Sequence, residues 1–220
     1  MKALFFNAKG VLYERLNPHH YLRAFLESKG LQAPPVHVLK EIVPEIKDQI
    51  MRGRLIPEIY TDAILKACGV TNPSWLIEGQ RAIERDQADI TILPGVVSTL
   101  ETLKGLGFKL GIITDSYVPR EKKIGWMRAG GLKIEWDTYS NSRDLQAIKP
   151  ALSLYQFAMK DVGVSAAESG FVGHHQLELT GAHRIGMTTI AVNCDPTVEA
   201  DTHLDRFEDL LSLPFLQSVS

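Results

Sequence analysis

Apolar and polar positions follow two regimes along this chain. Residues 4–7 are a short apolar run with Gly10 close behind, which predicts a first strand ending in a sharp turn. From about residue 18 to residue 89 the period is helical. Tyr21, Leu22, Phe25 and Leu26 share one face of a first helix. Leu39, Ile42, Val43, Ile46 and Ile50 repeat at helical spacing and predict a second, with a kink or break at Pro44. Ile59, Ala63, Ile64 and Ala67 predict a third that stops at Gly69, and Asn72-Pro73 caps and opens a fourth. No strand pattern interrupts this stretch.

After Leu93-Pro94-Gly95 the pattern changes. Val96, Val97, Leu100, Leu103 and Leu106 mark a helix ending near Gly107, and a buried strand follows over 108–113. Further strands are predicted over 134–139, 170–173 and 187–192, with helices between them; Leu152, Tyr155, Met159 and Val162 line one such helix. Alternating strands and helices predict an α/β fold, a doubly wound parallel sheet of Rossmann-like type. The helical stretch is then an insertion after the first strand. The division is a core of residues 1–14 and 93–220 and an all-helical unit of 15–92. Sites in such sheets lie outside the carboxyl ends of the strands. Asn7, Thr114 and the Gly173-His174 pair all fall at predicted strand ends.

Composition adds mostly exclusions. The 220 residues are 45% hydrophobic with a net charge of −2, acids and bases intermixed, so no basic block points to nucleic acid or a membrane surface. No apolar run approaches the roughly 18 residues of a membrane span. The first residues read as a strand rather than a signal peptide. Cys68 and Cys194 form no CxxC pair, which points to buried thiols in a reducing, cytoplasmic setting. A homo-oligomer is left open.

Four segments in order carry a resemblance. They are Phe5-Phe6-Asn7-Ala8-Lys9-Gly10-Val11-Leu12, Gly111-Ile112-Ile113-Thr114-Asp115-Ser116, Lys149-Pro150, and Phe171-Val172-Gly173-His174-His175-Gln176-Leu177-Glu178-Leu179-Thr180-Gly181-Ala182. Together they resemble the four motifs of the haloacid dehalogenase-like hydrolase superfamily. The resemblance covers nearly the whole chain and implies that the helical insertion is a cap over the core site. It also implies a small anionic substrate, 2-haloacid-like or phosphorylated, attacked by a carboxylate nucleophile.

Several positions depart from that pattern. Asn7 stands where the family has its nucleophilic Asp, and a neutral amide is a very poor nucleophile. Three explanations stay open: an introduced Asp-to-Asn replacement, natural loss of catalysis, or other chemistry in the same pocket. Lys9 stands where the phosphatases keep an acid–base Asp that protonates the leaving group. It supplies either a fixed charge, an acid of lowered pKa, or only a solvated surface group. Thr114 matches the hydroxyl that would bind a substrate oxyanion, and Lys149 the cation that would neutralise it. Asp115 and Ser116 are expected to line the site. His174 and His175 follow Gly173, where phosphatases place a magnesium-binding Asp directly after the Gly and another some residues later, and are read as substrate-binding groups or proton shuttles. Glu178 is the nearby carboxylate. Its spacing is similar to that of the dehalogenase branch, where an acid activates water. No metal set is assigned; Mg2+ is left open, with Glu178 as the one candidate ligand. Two rival readings follow. One is a non-hydrolytic enzyme using Lys9, His174, His175 and Glu178 as acid–base groups. The other is a non-catalytic protein that binds a ligand or partner. In the expected cap, His19, His20, Arg23, Arg52, Arg54 and Tyr60 could face the site. Trp126 and Trp136 read as packing residues.

Overall fold

A computed structural model describes residues 1–32 and 36–217. In chain order its elements are β1 (Ala3–Phe6), β2 (Tyr13–Glu14), α1 (His20–Ser28), α2 (Val36–Met51), α3 (Pro57–Ala67), α4 (Pro73–Ala88) and β3 (Thr91–Ile92). Then come α5 (Val96–Gly105), β4 (Lys109–Thr114), α6 (Arg120–Ala129), β5 (Thr138–Asn141), α7 (Ser142–Leu145), α8 (Leu152–Val162) and β6 (Ser169–Gly173). The chain ends with α9 (Gln176–Arg184), β7 (Thr188–Val192), β8 (Thr202–Leu204) and α10 (Pro214–Gln217). Six strands form one parallel sheet in the order β5-β4-β1-β6-β7-β8.

The central strand explains the order. β1 is buried on both faces, so its side chains alternate between two cores. Leu4 and Phe6 enter the larger one with Leu100, Ile112, Met127, Trp136 and Phe207. Ala3 and Phe5 enter the other with Leu154, Tyr155, Phe171 and Leu179. Trp136 meets Phe6 edge-on and is a packing residue, as its composition context suggested.

Helices α1, α3 and α4 pack around a small core of Leu22, Leu26, Leu65, Cys68, Val70 and Ile83, and α2 packs on α3. Asn72 caps α4 through its side chain, accepting from the Ser74 N–H at 2.9 Å. Helix α2 continues through Pro44 instead of ending there. The side chains of Leu39, Ile42 and Val43 lie outside the described residues. The two chain crossings into this unit are tied together by an antiparallel ribbon, Tyr13 opposite Ile92 and Glu14 opposite Thr91. No strand pattern announced that ribbon, because two residues are too few to show a period.

The strand expected over 134–139 begins only at Thr138. Ile134 and Trp136 are buried in the larger core, which is what gave the apolar signal, but they precede the ladder. The Asp137 carboxylate accepts the Leu110 N–H at 2.7 Å, and this anchors the lead-in before pairing starts.

Candidate active site

The carboxyl ends of β1, β4 and β6 bring the four motifs together. Asn7 leaves β1 and is 6% exposed. Its amide is held at both ends. The nitrogen donates to the Lys9 carbonyl oxygen at 2.8 Å, and the oxygen accepts from the Lys149 ammonium at 2.7 Å. Only a group with one donor and one acceptor satisfies both neighbours without rearrangement.

Lys149 also donates to Glu178 Oε2 at 2.8 Å, in a pair that is almost wholly buried. The other carboxylate oxygen is more crowded. Glu178 Oε1 accepts from the backbone N–H of His174 at 2.5 Å and of His175 at 3.0 Å, and the His174 ring nitrogen Nδ1 lies 2.9 Å away. Glu178 occupies the third position of α9 and so reaches back to the orphan N–H groups of that helix's first turn. Burial by itself would raise its pKa. The Lys149 ammonium and the His174 contacts outweigh burial and hold the carboxyl well below the usual glutamate range. An ionised carboxylate at 2.9 Å places the imidazole hydrogen of His174 on Nδ1, so the 3.3 Å approach of the Asn7 amide nitrogen to that atom is a contact rather than a bond.

The His174 ring stacks on Gly10. Gly10 has φ +84°, and a Cβ there would fall 2.3 Å from His174 Nε2, so the turn after β1 needs a residue without a side chain. His175 points outward with its ring against that of His174, the centroids 3.8 Å apart. Burial and the neighbouring His174 push its pKa down.

Thr114 is buried at the end of β4, in register with Asn141. Asp115 accepts the Lys149 backbone N–H at 3.1 Å and so ties the second motif to the third. Burial raises its pKa, with Lys149 opposing. The Ser116 hydroxyl accepts from the Val118 N–H within its own loop, and the Ser116 N–H donates to Ser142 Oγ. The Lys9 side chain stays outside this network. Its side chain is 52% exposed and its ammonium is 3.9 Å from Glu14, so position 9 gives the site a carbonyl and not a cation.

The residues present do not fit a magnesium ion. Magnesium asks for several free, preferably charged, oxygens in octahedral array. Here an ammonium sits between the Asn7 and Glu178 oxygens, and Glu178 has no free oxygen. Among the described residues no cluster of three His, Cys, Asp or Glu side chains could hold a metal.

Four residues beside this network had no role in the sequence reading: Tyr13, Arg15, Tyr117 and Lys123. Lys123 on α6 is 7% exposed, and its ammonium lies 5.9 Å over the Tyr13 ring. Burial, reinforced by the nearby Lys149 and Arg15 charges, lowers its pKa to about 7. From the helical insertion, Tyr60 packs on Tyr117 at 5.7 Å and Gln87 donates to the Tyr117 hydroxyl at 2.5 Å. Of the insertion residues singled out by sequence, Tyr60 reaches this wall. Arg52 pairs with Asp48, and His19, His20, Arg23 and Arg54 are exposed. A signal for Lys123 existed, since it lies one turn from buried Met127 on the inward face of α6. Its neighbour Lys122 is exposed and obscured it.

A hollow of about 270 Å3 by Met1, Lys2, Phe108 and Val164 lies at the amino ends of the strands. Its ammonium groups, Lys2 and Lys109, are mostly exposed. The buried charges converge at the opposite edge, and the chemistry belongs there.

Comparison with known proteins assigns the chain to a family. The chain is 30% identical over 105 residues to the (S)-2-haloacid dehalogenase 4A of Burkholderia cepacia, covering 48% of this chain and 45% of that protein. It is 29% identical over 153 residues to the glyceraldehyde 3-phosphate phosphatase of Methanocaldococcus jannaschii, covering 67% and 63%. These matches therefore span about half to two thirds of the relatives' length. The fold matches the solved 2-haloacid dehalogenase of Pseudomonas syringae pv. Tomato with a TM-score of 0.73 at 21% identity, over 96% of this chain and 97% of that one. A model of the family described as haloacid dehalogenase-like hydrolase matches residues 40–192. This chain belongs to the haloacid dehalogenase-like hydrolase family.

Proposed function

We propose that this chain is a hydrolase-type scaffold of that family for a small anionic metabolite, a 2-haloacid or a phosphate ester, working in the cytoplasm. Its ester-forming step is disabled by the amide at position 7. One observation carries the reading: the Lys149 ammonium bridges Asn7 Oδ1 and Glu178 Oε2 at 2.7 and 2.8 Å, so the cradle for an attacking carboxylate is assembled around a side chain that cannot attack. Thr114 would receive the substrate oxyanion, helped by the backbone N–H groups after β4. Glu178, already saturated and held ionised, fits an anchor for Lys149 better than a base for water, because a general base works best with a pKa near the working pH. Lys9 faces solvent and gives no support to an acid–base role at that position.

The test is a paired assay of this chain and its Asn7→Asp variant on phosphate esters and 2-haloacids, with and without magnesium. The expected result is negligible turnover by this chain and a rise on the order of a thousandfold in the variant. The substrate that responds names the branch. Turnover by the unchanged chain, or none by either, rejects the proposal.

A further inference from the structure

Lys123 is a buried cation with no protein anion to explain it. It is 7% exposed, and neither a hydrogen bond nor an ion pair reaches its ammonium among the described residues. Lysines in such positions are rare unless paired. Three groups act on it through space besides burial. Lys149 and Arg15 repel its proton, and Asp115, the weakest influence, attracts it. Asp115 is itself engaged by the Lys149 backbone. The π face of Tyr13 lies 5.9 Å away and offers a soft contact in place of a partner.

Arg15 has the same deficiency. It follows β2 and is half-buried, its charge felt by Tyr13, Tyr60, Tyr117 and Lys123, with no carboxylate bound to its guanidinium among the described residues. Two unpartnered cations therefore share one wall with the base-of-site cation Lys149, whose own charge is satisfied by Glu178. The aromatic pair Tyr60–Tyr117 closes the same wall from the insertion side.

We propose that Lys123 and Arg15 form the seat for the anionic head group of the ligand, an oxyanion of carboxylate or phosphate type, on the wall between α6 and β2 beside Asn7 and Lys149. The proposal rests on the reading that this site admits a small anion, and adds where the anion's non-reacting end is held. A guanidinium supplies a planar fork for two oxygens and an ammonium a point charge. Lys123 is desolvated before the ligand arrives and Arg15 is half-buried, so their attraction is stronger than at an open surface.

The test is isothermal titration of the intact chain with inorganic phosphate and, separately, with acetate. At least one probe binds, and which one identifies the head group. Lys123→Met and Arg15→Met each weaken that binding roughly ten- to a hundredfold. Lys122→Met leaves it unchanged, because that lysine pairs with Glu84 on the surface. A second measurement needs no variant: reductive methylation followed by mass spectrometry, in which the bound probe slows modification of Lys123 and not of Lys122. An unchanged Kd in Lys123→Met, equal methylation rates with and without probe, or no binding of either probe overturns the proposal. None of these readouts needs turnover. An inert Asn7→Asp variant would thus remove the hydrolase reading and leave the seat in place, and an unchanged Kd would do the reverse.

Discussion

On the floor of the site every charge has a partner within hydrogen-bonding distance, whereas on the wall two cations have none. Lys149, Glu178, Asn7 and the first turn of α9 satisfy one another. Lys123 and Arg15, a few side chains away, have no ion-pair partner among the described residues: Lys123 lies over the Tyr13 ring, feels the like charges of Lys149 and Arg15, and is only weakly attracted by Asp115. Buried pairs that are fully hydrogen-bonded rigidify a structure, and a lone buried cation works against folding. The floor is therefore expected to belong to the stability of the fold, and the wall to be kept at a cost to it. Substitutions in the two places should move stability in opposite directions.

The largest stability effect is expected on the floor. Lys149→Met leaves the Glu178 carboxylate buried without its ammonium, and the loss should be about 3–5 kcal/mol in urea unfolding at neutral pH. A loss no larger than that of an exposed lysine would show that the floor is more open to water than its burial indicates.

The wall should respond with the other sign. In the folded chain Lys123 titrates near 7, and in the unfolded chain at the ordinary 10.5. Between those values the unfolded chain binds the extra proton, so stability rises with pH across the window and is lowest at and below pH 7. Methionine carries no such penalty. Lys123→Met should be the more stable protein by a few kcal/mol near pH 6, with the advantage fading as pH approaches about 10. Unfolding curves at the two pH values check this; a variant less stable than the parent near pH 6 would contradict the idea that the wall is costly.

A smaller effect is expected at the hinge between the regions. Gly10→Ala adds a Cβ against the His174 ring at a positive φ, and the cost should be roughly 1–3 kcal/mol. Because His174 Nδ1 contacts Glu178, the variant should also shift the His174 imidazole resonances in NMR. Unperturbed resonances would separate the turn from the floor.

Much of this was legible along the chain. Period fixed the helices of the insertion and the buried strands, because packing against a core repeats every two or 3.6 residues. It misplaced the start of β5, since Ile134 and Trp136 are buried without being paired. It could not see β2 and β3, whose pairing joins residues far apart in sequence. The site was legible as far as its motifs reached: Asn7, Thr114, Asp115, Lys149, His174 and Glu178 do gather at the strand ends. The direction of Lys9 was not legible, because one residue in a tight turn can face either way.

By itself, then, the sequence determined the α/β order, the helical insertion, and the amide at position 7 in place of a carboxylate. Those are properties of residue type and spacing, and they survive without knowledge of what lies across the fold. Only the tertiary structure decided that Glu178 is saturated, that Lys9 turns outward, and that Lys123 and Arg15 meet beside Lys149. Each of these depends on contacts set by sheet register and helix packing between segments distant in sequence. Whether a charge finds a partner there is a matter of position in space, which residue type does not encode.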